Sequence, residues 1–207
     1  MKVGPKFKIC RRLGSRVFTK CQTTKFSISG SAAKGAGQPR ARRPRPLSEY
    51  GRQLIEKQKA RYTYCLKERQ LASYVVKVRR EARGNPTARL FQLLESRLDN
   101  VVFRLGLANS RLFARQIITH GHITLNGRRV NIPSAAVKVG DSIGIRPQSR
   151  AGGMFKNLEE KLKNYEPPAW LLWDEQVQVG KVVAEPVIGE AEVDVNFGAI
   201  LEFYSRV

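Results

Sequence analysis

Between positions 111 and 129 the chain places Arg111, Arg115, Gln116, His120, His122, Asn126, Arg128 and Arg129, with no carboxylate among them. These residue types suit a nucleic acid. An arginine carries a planar fork that donates two hydrogen bonds at once to a phosphate. Histidine, glutamine and asparagine hydrogen-bond sugars and base edges. Any one of these side chains alone is an ordinary solvated group, but their concentration in one short acid-free stretch points to a polyanion. Aromatic residues make up 8% of the chain, too few for a platform of stacked single-stranded bases. The better-matched target is folded RNA, read by shape through phosphate and 2′-OH contacts.

The same residues are poorly suited to catalysis. The two histidines of the chain share one His120-Gly121-His122. Asp141 is the one carboxylate between positions 101 and 150 and sits in a Gly-Asp turn, so no carboxylate pair is available there for acid–base work. No Walker-type phosphate loop, His-Glu-x-x-His or Gly-x-Ser-x-Gly occurs. Cys10, Cys21 and Cys65 are too few and too scattered for a disulfide framework or a four-ligand zinc site, and read as free thiols in a reducing compartment. No enzymatic activity, cofactor or metal is expected.

The elements that must position these side chains follow from periodicity. A short helix from Ser110 to His120 puts Phe113, Ala114, Ile117 and Ile118 on one side. Arg111, Arg115 and Thr119 form a row on the other, with Gln116 and His120 beside it. Gly121 stops the helix and the period changes to two, with Ile123 and Leu125 alternating with His122 and Thr124. Asn126-Gly127 predicts a tight hairpin whose return strand carries Val130 and Ile132. A turn at Val139-Gly140-Asp141 leads to a strand with Ile143 and Ile145.

Upstream, Ser48 is an N-cap candidate for a helix running to Arg61 or Tyr62. A second helix spans 67–83, with Leu71, Tyr74, Val75, Val78 and Ala82 on one face and Gly84 as its stop. Asn85-Pro86-Thr87 reads as a turn ending in another N-cap candidate. A third helix carries the stripe Leu90, Leu93, Leu94, Leu98, Val101, Val102 and Leu105, and ends at Gly106. Downstream of Gly152-Gly153, a short helix is expected over 155–164, then strands at 177–183, 192–195 and 200–204.

The formal charge is +21, which costs a compact protein stability unless a polyanion neutralises it. Residues 1–47 carry 13 basic and no acidic side chains, whereas 151–207 carry 5 basic and 10 acidic ones, so the cationic field belongs to the first three quarters of the chain. Residues 1–47, with Pro39, Pro44 and Pro46 among Arg40, Arg42, Arg43 and Arg45, read as an extended arm that orders against its partner. Nucleic acid is the leading partner and an anionic membrane surface the second. No stretch approaches 18 uncharged apolar residues, which excludes an ordinary transmembrane helix. The opening lacks the apolar segment of a secretory signal, while its acid-free basic composition also matches an organellar transit peptide.

Residues 110–130, SRLFARQIITHGHITLNGRRV, closely resemble the RNA-binding module named after the fourth protein of the small ribosomal subunit. That module also occurs in pseudouridine synthases, tyrosyl-tRNA synthetases and heat-shock RNA-binding proteins. The flanks resemble the ribosomal family itself, of bacterial/plastid type. These flanks are residues 94–106 (LESRLDNVVFRLG), 56–59 (EKQK), 68–70 (ERQ), the opening 4–8 (GPKFK) with 11–14 (RRLG), and the ending 202–206 (EFYSR). The resemblance implies a primary binder of small-subunit rRNA in the 5′ domain, an organiser of the subunit body, and a position beside the channel by which mRNA enters. It also implies an influence on decoding accuracy. Some members hold zinc through four N-terminal cysteines; two, Cys10 and Cys21, stand there in this chain. Residues 22–40 and 165–200 depart most from the family pattern.

The expected protein is therefore α+β. Its parts are a basic extended arm (1–47), a helical domain (48–92), an RNA-binding module of helix, helix, β-hairpin and strand with an antiparallel sheet (93–150), and a C-terminal helix and strands that pack back (151–207). Arg42, Arg43 and Arg45 of the arm, Tyr50, Lys57, Lys59, Arg61 and Arg69 of the first two helices, and Ser110, Arg111, Arg115, Gln116, His120, His122, Asn126, Arg128 and Arg129 of the module are the expected RNA contacts. The expected partners are small-subunit rRNA, neighbouring small-subunit proteins and mRNA, with no membrane. The setting is the ribosome of a bacterial cytoplasm, a plastid stroma or a mitochondrial matrix. The alternative is a stand-alone RNA-binding or ribosome-associated factor carrying the same module. Arg115→Glu is expected to weaken RNA binding while the module stays folded, and Leu98→Asp to unfold it.

Overall fold

Ser48 starts the first long helix as expected: in the computed structural model its side chain accepts a hydrogen bond from the Gly51 amide. The structure describes residues 3–24, 26–28, 46–81, 84–150, 152–153, 155, 158, 162, 165–174, 176–189 and 193–206. Its elements in chain order are α1 (Lys6–Leu13), a 3₁₀ turn (Thr19–Cys21), α2 (Glu49–Thr63), α3 (Glu68–Glu81), α4 (Pro86–Glu95), α5 (Leu98–Arg104) and α6 (Arg111–Thr119). They continue with β1 (Ile123–Leu125), β2 (Arg128–Arg129), β3 (Ser142–Ile145), α7 (Pro147–Arg150), β4 (Leu171–Asp174), β5 (Val179–Val182) and α8 (Phe197–Ser205). The fold is α+β, and the chain gathers into two compact units. One contains Met1–Val76 with Asp194–Val207, the other Lys77–Val193.

In the first unit, the opening residues depart from the extended arm expected of them. Ile9, Cys10 and Leu13 of α1 close on Phe18, Cys21 and Phe26 in a small buried cluster. Cations also lie over aromatic rings at the edge of this cluster: Lys20 Nζ is 5.5 Å from the Phe7 centroid, and the Arg11 guanidinium is 5.6 Å from that of Phe26. Arg42, Arg43 and Arg45 lie outside the described residues.

The segment 200–204, expected as a strand, is part of α8. Asn196 caps that helix, its Oδ1 accepting from the Ala199 amide at 3.0 Å, while its own amide donates to Glu56 of α2. Phe197, Ile200 and Phe203 recur every three residues and are buried as α8 packs along α2. Aromatic and branched residues favour strands, but packing on a helix overrides that preference.

The second unit is a five-stranded antiparallel sheet, ordered β2-β1-β3-β5-β4, with α5 and α6. Leu98, Val101 and Val102 of α5, with Leu105 just past its end, meet Ala114, Ile117 and Ile118 of α6 over Ile123, Ile143 and Ile145. Each such burial stabilises by about 1.5–3 kcal/mol. The hairpin turn has the two positive φ values its sequence demands, 51° at Asn126 and 76° at Gly127. Its return strand is shorter than expected: β2 ends at Arg129, and Ile132 is exposed.

The third expected helix is split into α4 and α5. Its apolar stripe is buried on both sides of the break, except for half-buried Leu93. The break follows from a tertiary contact with residues 133–137, a turn leading into an antiparallel bridge between Ala136 and Arg97. The Leu98 amide bonds the Ala135 carbonyl (2.9 Å), the Asp99 amide the Pro133 carbonyl (3.0 Å), and the Val137 amide the Ser96 carbonyl (2.8 Å). Arg97 is accordingly extended, with ψ 138°. The helix cap at 85–87 sits two residues earlier than expected. Asn85 accepts from the Thr87 amide, with Pro86 in the first turn.

The tail adds β4, which was not anticipated, and β5, which lies within the expected 177–183 strand. β5 bridges β3 and β4, with Ser142 opposite Lys181 and Leu171 opposite Val182. Among the described residues of 192–195 no strand forms. Most of the expected 155–164 helix lies outside the described residues, although Leu158 and Leu162 are helical and buried.

Candidate nucleic-acid interface

Ser110 opens α6 by accepting from the Phe113 amide at 3.2 Å, which makes it a helix cap. The opposite end of α6 is a crowded joint. Gly121 turns the chain with φ 74°, and the Arg129 side chain occupies the space where any other residue would carry its Cβ. Arg129 thus folds back over the joint, and its Nη2 donates to the His120 carbonyl at 3.4 Å. The site suits a cation, because the last carbonyls of a helix lack partners and carry partial negative charge.

The rings of His120 and His122 stack with centroids 6.1 Å apart. His122 Nδ1 shares a 2.9 Å hydrogen bond with Ser149 Oγ, and the ring meets the edge of Phe155. Gln116 of α6, His120 at its end, and Arg128 and Arg129 of β2 are exposed. Two exposed arginines, two imidazoles and an amide can together meet phosphates and hydrogen-bonding edges of a folded nucleic acid.

Asn126 is differently employed. Its Oδ1 accepts from the Ser142 amide (2.8 Å), and its Nδ2 donates to Asp141 Oδ1 (2.8 Å), tying the hairpin turn to β3. Its amide is occupied by the fold.

Arg111 and Arg115 are half-buried and enter an internal network. Arg115 donates to Asp99 Oδ2 from Nε (3.2 Å) and Nη2 (2.6 Å). Asp99 also holds Arg97 through both oxygens, at 3.0 and 2.8 Å. Arg111 Nε donates to Asn100 Oδ1 (2.7 Å), and its guanidinium lies 4.4 Å from the Phe103 centroid. Asn100 in turn donates to Glu95, whose carboxylate is met by Arg104 at 3.0 and 3.2 Å. The expectation that Arg115→Glu would leave the module undisturbed therefore needs correction: it sets a second carboxylate against Asp99, which is nearly inaccessible. Asp99 and Asn100 were not among the expected site residues. The available signal was two adjacent polar residues inside an apolar stripe, which are buried only when paired.

In the first unit the expected contacts separate. Tyr50 and Arg69 are exposed. Lys57 is buried: its Nζ is 2.8 Å from Glu68 and 4.3 Å from the Phe203 centroid, so it serves the α2–α8 contact. Lys59 pairs with Glu56 at 2.8 Å, and Arg61 pairs with Glu68 while lying over the Tyr62 ring. Burial raises the Glu68 carboxyl, but hydrogen bonds from Lys57 and Tyr204 with the Lys57 and Arg61 charges outweigh it, and the net position is below the usual range. Burial foremost, with the hydrogen bond to Glu68, raises the Tyr204 hydroxyl. Exposed cations of α1, namely Lys8, Arg11 and Arg12, were not singled out by spacing.

Cys10 and Cys21 are fully buried, and burial, then a hydrogen bond and charge from Cys10, push the Cys21 thiol up to about 12. Among the described residues no group of three metal-binding side chains forms. No described helix is long and apolar enough to cross a membrane.

The chain matches two family models: the ribosomal protein S4/S9 N-terminal domain over residues 2–95 and the S4 domain over residues 96–143. It is 48% identical to the small ribosomal subunit protein uS4 of Roseiflexus castenholzii, covering 99% of this chain and 98% of the relative. It is 44% identical to that of Chloroflexus aurantiacus over 99% and 98% of the two chains, and 43% identical to that of Syntrophomonas wolfei over 95% of each. Full-length identity of this order, with both domains matched in sequence, means that the chain belongs to the uS4 family of small ribosomal subunit proteins.

Proposed function

We propose that the protein is a structural, non-catalytic constituent of the small ribosomal subunit that binds its rRNA. The observation that carries this reading is the joint at the end of α6 within the matched S4 domain, where the exposed Arg129 side chain lies against Gly121 and the His120 carbonyl and the His120 and His122 rings stack, with Gln116 of α6 and Arg128 of β2 also exposed. In this reading the protein binds the 5′ domain of the rRNA early and nucleates assembly of the subunit body. It lies by the channel through which mRNA enters, touches neighbouring small-subunit proteins and influences translational accuracy. It works on the ribosome, in a bacterial cytoplasm or a bacterial-type organelle. Arg42, Arg43, Arg45, Tyr50 and Arg69 would extend the contact along the rRNA, as would the α1 cations.

The test is binding of the full chain to protein-free small-subunit rRNA across a salt series. With roughly 6–10 phosphates neutralised, affinity falls about 10³–10⁵-fold between about 50 and 200 mM salt. A nearly flat response overturns the reading. Retention on small subunits through a high-salt wash separates a constituent from a transient factor, which would be released.

A further inference from the structure

We infer that the exposed ring of Phe7 is a stacking site for one unpaired base of the rRNA, with the cations beside it meeting that nucleotide's phosphates. The inference rests on the RNA-binding reading above and deepens it. The helical period of α1 decides which of its side chains face out. Ile9, Cys10 and Leu13 turn inward to the buried cluster, and Phe7, Lys8, Arg11 and Arg12 are left on the outer side, all exposed. An apolar residue exposed on its own is ordinary, but Phe7, at 39% exposure, is held and surrounded in a particular way.

Its ring is fixed from below. Phe7 stacks on Phe26 with centroids 5.3 Å apart and planes 25° from parallel, and Phe26 is buried at 4% exposure. Phe26 is the anchor, and Phe7 carries the stack to the surface. A ring already ordered by folding gives up less side-chain freedom when it binds. Cations flank the pair: the Lys20 ammonium lies over the Phe7 ring and the Arg11 guanidinium over that of Phe26. Residues 1–47 contain no carboxylate, and among the described residues Lys8, Arg11, Arg12 and Lys20 enter no ion pair. The patch therefore offers an anion uncompensated positive charge.

A nucleotide joins a flat π-face to a phosphate, which is what an aromatic ring among such cations can use. An acidic peptide would satisfy the cations and leave the ring in water. An apolar one would cover the ring and leave the cations without partners. Folded RNA presents unpaired bases in loops and bulges, and these stack on aromatic side chains when splayed out. A single ring holds a single base, so the site needs no wider platform, in keeping with a chain of 8% aromatic residues. Lys20 is the movable part. A cation over an exposed ring is held more weakly than a stacked base, so the base takes the ring and the ammonium passes to a phosphate.

The decisive variant is Phe7→Leu, because leucine still packs on Phe26 and no charge is removed. Affinity of the full chain for protein-free small-subunit rRNA is expected to fall about tenfold with an unchanged salt exponent. Phe7→Tyr keeps the ring and is expected to bind as the wild type does. Lys20→Gln is expected to lower the salt exponent by about one; an unchanged exponent removes Lys20 from the site. A second readout does not depend on the leucine variant folding. In Phe7→Trp, rRNA is expected to quench the added indole beyond any change in the native Trp170 and Trp173, which a wild-type titration measures. Circular dichroism accompanies each variant. Wild-type affinity in folded Phe7→Leu, or no added quenching in Phe7→Trp, overturns the stacking site and leaves the ring to a protein segment or to water. Salt-dependent binding by the wild-type chain keeps the RNA-binding reading standing in that case, and its absence overturns that reading instead.

Discussion

Each oxygen of Asp99 is met by a guanidinium, and the carboxylate has almost no access to water. Such a group tolerates no like charge, because the low-dielectric interior amplifies both attraction and repulsion. Arg115→Glu is therefore expected to cost about 3–5 kcal/mol of stability, the range for breaking a buried pair. Urea denaturation of the variant checks this; an unchanged midpoint would mean that Asp99 is not dependent on Arg115. Glu68 makes a second residue-scale prediction. Its folded carboxyl titrates below its unfolded value of 4.5, so the stability it adds is complete above that pH and is lost as pH falls through the folded value. Between about pH 5 and pH 3 the wild type is expected to lose more stability than Glu68→Gln. Parallel losses in denaturant midpoint would remove Glu68 from the account. These residue roles were only half legible beforehand. Arginine spacing on α6 predicted which way the side chains leave the helix, but not that two of them meet acceptors from α5.

Helix starts and hairpin turns are local events, and the sequence predicted them well. Ser48 caps its helix, Gly106 and Gly121 take positive φ, and Asn126-Gly127 makes the tight turn, while Ser110, expected as an RNA contact, serves as a cap and the cap expected at Thr87 is made by Asn85. Where an element depends on a neighbour distant in the chain, local pattern failed. The α4–α5 break is made by residues 133–137, and α8 is helical against α2. The short β2 strand leaves Arg128 exposed at an edge, where a charged side chain also discourages pairing with another sheet. Arg128→Ala is expected to weaken rRNA binding roughly three- to tenfold and to lower the salt exponent by about one. Folding stability should stay within about 0.5 kcal/mol, as for other surface substitutions. A stability loss well beyond that would show that the edge arginine supports the sheet.

At the scale of the molecule, two compact units meet different requirements. The second unit has a continuous core running from α5 to β5, and Leu98 is fully buried in it. Leu98→Asp is expected to unfold that unit, since a carboxylate there has no partner shown in the core and large buried-charge penalties exceed typical domain stability margins. Near-native circular dichroism would contradict the placement. The first unit builds its smaller clusters with cations over aromatic rings and with lysine inserted beside Phe203. Some of its cations thereby serve packing as well as charge, and the net +21 already subtracts the carboxylates that others pair with.

The chemistry of the partner was determined by the sequence alone. Acid-free basic runs, few aromatics and the 110–130 motif require no coordinates, because net charge and residue type are properties of the chain. The division of labour among the cations was decided only by the tertiary structure. Lys57, Lys59, Arg61, Arg111 and Arg115 look alike in sequence to Arg69, Arg128 and Arg129, yet the first five meet carboxylates, amides or rings, most of them on other elements, while Arg129 leans on the His120 carbonyl and Arg69 and Arg128 are exposed. Whether a cation is committed internally depends on which buried acceptor lies within about 3 Å of it, and that distance is set by packing between elements far apart in sequence.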